Sequence, residues 1–192
     1  MFKLIISLLI VIQTSCYTLT SIPIEKKIYF ENNFNINKNT KKYDLNLEKI
    51  NKIIYNNNNG FLSTLSCNKI TEGFPYGSLV AFSIDTDKNP FFCFSKLSTH
   101  TKNLIEESKS SLCLIDNKFN GLQDFRITIT GNIIKQQNKG EYIEKYEYDH
   151  PNDFWIRFDD FDIYKMEEII DINFVGGFAN AGKIKIKDYY NS

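Results

Sequence analysis

Two histidines, one tryptophan and four cysteines are all that this 192-residue chain carries of three rare residue types. With Cys16 set aside in the N-terminal stretch, Cys67, Cys93 and Cys113 remain. They form no CxxC pair and have no histidine at zinc spacing, so no metal site is expected. Cys93 and Cys113 lie in apolar runs and are expected to pack as small hydrophobes, with a bridge between neighbouring strands as the open alternative. An excess of one charge is also missing: 23 Lys+Arg face 23 Asp+Glu, giving a formal charge of +0, which argues against a polyanion such as nucleic acid as partner. No Asn-x-Ser/Thr sequon occurs. The apolar run at 4–12 is too short to span a bilayer, so no membrane span is expected once it is removed.

Aromatic residues are plentiful, 15% of the chain with 16 Phe and 11 Tyr, a bias that suits half-buried pleated surfaces. The N-terminal run follows Lys3 and precedes Thr14, Ser15 and Cys16, the layout of a secretory signal peptide, here 1–21; a buried core helix is the alternative. Residues 22–43 are rich in Asn and Lys without apolar periodicity and are expected to be a disordered leader or linker. A signal peptide followed by such a stretch either routes a protein through the secretory pathway into a secondary plastid or is a plain linker in a secreted or lumenal protein. The remaining residues, 44–192, are enough for one domain.

Leu45, Leu47, Ile50, Ile53 and Ile54 recur at helical spacing after Asp44, which is placed to cap a helix that ends at the Asn run before Gly60. Strands are expected at 60–66, 77–84, 91–95, 111–115 and 125–134, with Gly131 marking a bulge or close approach. Helices are expected at 99–107 and around 140–148, and β character returns in looser alternation from Phe161 to Phe174. The pattern predicts a mainly β fold with flanking helices (α+β), about seven strands curling into a closed or nearly closed barrel.

The most informative stretch is 74–104, FPYGSLVAFSIDTDKNPFFCFSKLSTHTKNL. Two strands feed a hydroxyl-rich segment that opens a helix with Ser98, Thr99, Thr101 and Lys102 around its first turn. Free amides, hydroxyls and one cation suit a phosphate. Each residue also has a plainer reading. Ser98 can cap the helix with Lys102 solvated. His100 can be a surface or cap residue, His150 a turn residue and Trp155 a packing anchor. Gly176 and Gly177 can form a turn, and Arg126 can reach a cofactor or pair with Asp124.

These motifs, PYGS, SKLSTHTKNL and VGGF in that order, closely resemble the FMN-binding split barrel of the pyridoxamine 5'-phosphate oxidase class over about 45–190. The ending is similar to the HugZ-type haem-utilisation and CREG-like branches. The resemblance implies that the flavin phosphate lies between Tyr76, Gly77 and Ser78 on one side and Ser95, Lys96, Ser98, His100, Thr101 and Lys102 on the other. It further implies a homodimer with cofactor clefts at the subunit interface, and FMN, or a related flavin or deazaflavin, serving an oxidoreductase with a small substrate. Where pyridoxamine-phosphate oxidases carry an Arg-Lys pair, only Lys102 and the neutral Thr99 and His100 stand here, and their Trp and Arg substrate motif is not recognisable, so that reaction is not expected. Haem oxygenase activity is not expected either, because haem-degrading relatives place a ligating His near the C-terminus and none follows His150. The alternative is a CREG-like protein that keeps the barrel and binds a protein partner in place of FMN. A lipocalin-like carrier suits the β content but not the phosphate device.

Overall fold

The computed structural model describes the backbone of residues 24–192 and the side chains from residue 39 onward; the expected signal peptide, 1–21, lies outside the described residues. The chain divides into two units, Met1–Asn46 and Leu47–Ser192. Helix α1 runs Ile24–Asn56, well N-terminal to the start expected at Asp44. Its sequence holds neither proline nor glycine, so no backbone feature stops the helix from running through Asp44, and the carboxylate lies inside it. The stretch read from composition as unordered is therefore helical from Ile24. In the second unit the last turns of α1 bury Ile50, Ile53 and Ile54, the periodic face the sequence predicted. Among the described residues no helix is long and apolar enough to cross a membrane.

One sheet follows, made of β1 (Asn59–Leu65), β2 (Pro75–Ala81), β3 (Ser83–Ile84), β4 (Pro90–Ser95), β5 (Lys109–Ile115), β6 (Arg126–Lys135), β7 (Phe161–Val175) and β8 (Ala181–Ile184). Its order is β2-β1-β5-β6-β7-β4-β3, with β8 also on β7, and all its pairs are antiparallel. The two ends of this order, β2 and β3, are separated only by Phe82, so one extended segment serves β1 with its first part and β4 with its last. That curls the sheet into the expected split barrel. The 15-residue β7 holds it together: β6 pairs along most of its length, while β4 pairs with its first residues and β8 with its last.

The burial pattern of β4 explains its run of Phe91, Phe92, Cys93 and Phe94. Strand side chains alternate in direction, and all four are buried, so both faces are covered. Phe91 and Cys93 pack with Tyr146, Ile156 and Ile163 beneath α3 (Gly140–Asp149) and a 3₁₀ turn (Phe154–Arg157). On the other face Phe92 stacks on Phe94 with centroids 5.0 Å apart, and Phe94 meets Tyr164 at 5.7 Å. His150 is more than a turn residue. It is buried, its Nε2 lies 2.9 Å from the carbonyl of Phe82, and its ring packs on Tyr146. A short helix α4 (Ile186–Asn191) buries Tyr189, whose hydroxyl donates to the carbonyl of Lys88 at 2.7 Å.

The glycine and cysteine expectations resolve plainly. Gly177, at φ 102°, turns the chain between β7 and β8, and the Gly176 amide donates to the Asn180 carbonyl at 2.6 Å, so the pair forms a turn. Arg126 donates to the carbonyl of Leu122 at 2.8 Å and, more weakly, to that of Asp124. Cys67, Cys93 and Cys113 are all free, and β4 and β5 are not neighbours, so no bridge joins Cys93 to Cys113. Register shifts flank Gly131, where β6 passes so close to β7 that an added Cβ would stand 2.2 Å from the Glu168 carbonyl oxygen. Gly131→Ala is expected to lower the unfolding free energy by about 1–3 kcal/mol, the usual range for overpacking against fixed backbone. Gly140→Ala, whose Cβ would come no closer than 3.4 Å to the Asn138 side chain, is expected to leave it unchanged or raise it. Urea denaturation of the two variants checks both.

Candidate functional site

β4 delivers Ser95 and Lys96 to a tight turn that opens α2 (Thr99–Glu106). Ser98 stands at the helix N-cap with extended backbone (φ −68°, ψ 142°), and its hydroxyl makes no cap bond. The plainer capping role therefore goes unfilled, and the first-turn amides are left without a side-chain acceptor from Ser98. Within the helix, Thr101, Asn103 and Leu104 are buried, His100 is half-buried and Lys102 is exposed. The buried Thr101 hydroxyl has no hydrogen-bond partner among the described residues.

The nine residues expected at the site do not form one cradle. Ser78 and His100 do meet, Oγ to Nδ1 at 3.4 Å, and the His100 ring sits edge-on to Phe94 at 4.4 Å. Ser98, Thr101 and Lys102 share the first turn of α2 with His100. Ser95 and Lys96 are tied elsewhere. Ser95 Oγ donates to Asp160 at 3.0 Å, while Lys96 Nζ donates to the Asp159 carbonyl at 2.7 Å and stands 3.8 Å from Asp162. The β2 residues are split by strand alternation. Tyr76 and Ser78 pair with Thr64 and Leu62 of β1, on the α2 side. Gly77 and Leu79 pair with Ser63 and Phe61 on the opposite face, where Phe61 and Leu79 are exposed apolar neighbours and a Cβ on Gly77 would meet nothing within 4 Å. The sheet itself thus separates a polar side, facing α2, from an apolar outer face.

Asn103 is a positioning residue that the sequence reading passed over. Its amide donates to Thr64 Oγ1 at 2.9 Å, and its carbonyl oxygen accepts from the Cys67 amide at 3.1 Å, which fixes α2 against β1. Such a buried, doubly satisfied amide holds orientation because losing either bond strands a polar group. The signal was present: Asn103 stands inside SKLSTHTKNL, the motif that carried the resemblance. Burial pushes the Cys93 thiol up to about 12, so it is no nucleophile. Among the described residues no cluster of three or more His, Cys, Asp or Glu could hold a bare metal ion.

Comparison with known proteins bears on this geometry. The sequence profile of the family described as CREG, beta-barrel, matches residues 48–191. A curated relative, the non-canonical heme oxygenase HOZ, chloroplastic, of Arabidopsis thaliana, is 33% identical over 137 residues. The match covers 70% of this chain and 41% of that protein, so the chain spans less than half of its relative. Among solved structures, a heme binding protein from Mycobacterium smegmatis matches at TM-score 0.60 with 21% identity, covering 70% of this chain and 55% of that one. A Clostridium acetobutylicum protein related to general stress protein 26, of the pyridoxinephosphate oxidase family, matches at 0.57 with 15% identity, covering 75% and 96%. HutZ, the heme storage protein of Vibrio cholerae, matches at 0.53 with 16% identity, covering 65% and 91%. At these identities the structural likeness is one of fold.

Burial holds the His100 imidazole below its ordinary value of 6.5, so the ring is neutral at neutral pH. The unfolded ring binds a proton more readily than the folded one, so its contribution to stability is complete above about pH 6.5 and is lost as pH falls through the lower folded value. Urea midpoints measured at pH 7.5 and pH 5 are expected to fall less on acidification for His100→Gln than for the wild type. Equal falls would show that the ring has no part in the acid sensitivity.

Proposed function

The chain belongs to the CREG β-barrel family, and from that premise we propose that it binds haem in the cleft between β2 and the start of α2, with His100 as the side chain able to reach the iron. One observation carries the reading: His100 is the histidine that remains chemically available. Its ring is neutral, as iron ligation requires, and its Nε2 takes no hydrogen bond among the described residues. His150 is buried, with Nε2 against the Phe82 carbonyl and Nδ1 4.0 Å from Asp153. Lys102 and the uncapped Ser98 hydroxyl suit an acidic substituent of the ring system. The name of the Arabidopsis relative and those of two solved neighbours speak for the same ligand. The objection that no histidine follows His150 applies to ligation from the C-terminal end, and a ligand on α2 is free of it. Bound haem supplies oxygen-activating iron, and the protein's part is to ligate, orient and shield it.

A second reading keeps the same cleft and replaces haem with FMN in an oxidoreductase acting on a small substrate. The uncapped helix start favours it, since α2 amides, the Ser98 hydroxyl and Lys102 suit a phosphate dianion. The orphaned Thr101 hydroxyl adds a buried donor on the same turn. The exposed Phe61–Leu79 pair on the outer face of β1 and β2 suits a homodimer contact. No observation favours the reading in which the barrel serves only to dock a protein partner.

Spectroscopic titration separates the two ligands. Haem is expected to give a shifted Soret band at one per subunit, with affinity at least about tenfold weaker in His100→Ala. An unshifted Soret band, or equal affinity in the variant, would remove haem ligation by His100. Quenching of FMN fluorescence that is lost in a Ser98→Ala/Lys102→Ala double variant would then select the flavin.

For location we propose entry by the N-terminal signal into the secretory route and delivery to a plastid, a compartment that the relative's name also carries. A fluorescent reporter fused after residue 45 is expected to mark the plastid. Fluorescence confined to the culture medium would overturn plastid delivery.

A further inference from the structure

Apart from the haem or flavin cleft, two adjoining cavities lie between the C-terminal end of α1, β3, the β3–β4 turn and α3. One has a volume of about 210 Å³ and the other about 400 Å³, and both are lined by Tyr55, Ile84 and Lys145, so they form two lobes of one groove. The larger lobe has an aromatic wall of Tyr55, Phe91 and Tyr142. Its floor carries the largely buried pair Lys165–Asp85, 2.8 Å apart. At its rim stand Asp87 and Glu141, both exposed and neither in an ion pair among the described residues, though Glu141 Oε1 accepts from the Asn138 side chain at 2.7 Å. Lys145 is satisfied by Asp149 at 2.6 Å. Each lysine of the groove is thus matched by a carboxylate, and Asp87 and Glu141 are left over as negative charge beside aromatic rings.

The smaller lobe has its own preference. Asn56, Asn57 and Asn58 line it at the C-terminal end of α1, where the helix dipole is negative and the last turn holds no basic residue, and where the side-chain amides of Asn57 and Asn117 already donate to the Ile53 and Asn56 carbonyls. Ser83 also lines it, only 3% exposed, and its Oγ has no hydrogen-bond partner among the described residues. A buried hydroxyl oxygen without a donor is costly unless a ligand supplies one. The carboxylates of the larger lobe favour a cation, an N–H donor satisfies Ser83 Oγ in the smaller one, and the aromatic wall suits an alkyl chain that carries both.

We propose that this groove binds an extended aliphatic polyamine, one ammonium group held by Asp87 and Glu141 against Tyr55 and Tyr142, a second donating to Ser83 Oγ at the end of α1. The site shares no residue with the β2–α2 cleft, so it operates whether that cleft takes haem or flavin. Attraction between exposed charges makes the binding salt-sensitive.

Isothermal titration of the full chain with spermidine tests the assignment. One molecule is expected to bind per subunit, at least about tenfold more weakly in an Asp87→Asn/Glu141→Gln double variant and measurably more weakly in Ser83→Ala. Both carboxylates are exposed, so the double variant is expected to keep the wild-type circular dichroism spectrum. Hexylamine, with a single cation, is expected to bind at least about tenfold less tightly than spermidine. His100→Ala is expected to bind spermidine as the wild type does, which separates this result from that of the haem titration. No heat at millimolar spermidine, affinity unchanged in the double variant, or equal affinity for hexylamine would overturn the proposal.

Discussion

The arrangement of the barrel depends on a strand with no solvent face. β4 must be apolar on both sides because the barrel interior receives Phe92 and Phe94 while the layer of α3 and the 3₁₀ turn receives Phe91 and Cys93. Each fully buried aromatic is worth roughly 1.5–3 kcal/mol over an exposed one, so this strand concentrates much of the driving force in a few residues. It also sets the position of everything that follows. α2 begins within a few residues of its end, so the location of His100, Ser98 and Lys102 follows from how firmly β4 is packed.

Elements whose pattern is local were legible. Alternating residues in RITITGNII gave a strand at its observed place, and the apolar periodicity of Leu45 to Ile54 gave the buried C-terminal turns of a helix whose start it did not show. Boundaries set by distant partners were not. Nothing local shows that β7 runs unbroken through Glu167 and Glu168, which interrupt its apolar alternation. Its continuity comes from pairing with β6, against which β7 bulges at Ile170 and Glu167, the residues left unpaired opposite Thr130–Gly131 and Asn132–Ile133. β8 and α4 were missed for the same reason, since lysine-rich KIKIK takes its structure from pairing with β7 and from the burial of Tyr189.

The site was legible as a set of residues and not as a shape. Composition put hydroxyls and a lysine at a helix start, and that is where they stand. Strand alternation then sends Gly77 to the face away from Ser78, and acidic residues beyond the 3₁₀ turn take Ser95 and Lys96. The first follows from the register of β2 on β1 and the second from contacts between residues 63 and 65 positions apart, neither of which residue types alone encode. His150 shows the converse. A residue that looked incidental in HPND is a buried post under Phe82, the one break between β2 and β3.

Cys67 carries a practical consequence. Cys93 is sealed in the core and Cys113 is partly covered, whereas Cys67 lies exposed with its backbone amide bonded to Asn103, the residue that fixes α2. A thiol-directed dye would thus settle at the joint between the first strand and α2, without mutagenesis. Its emission would track, in real time, whether added ligands loosen or tighten that joint.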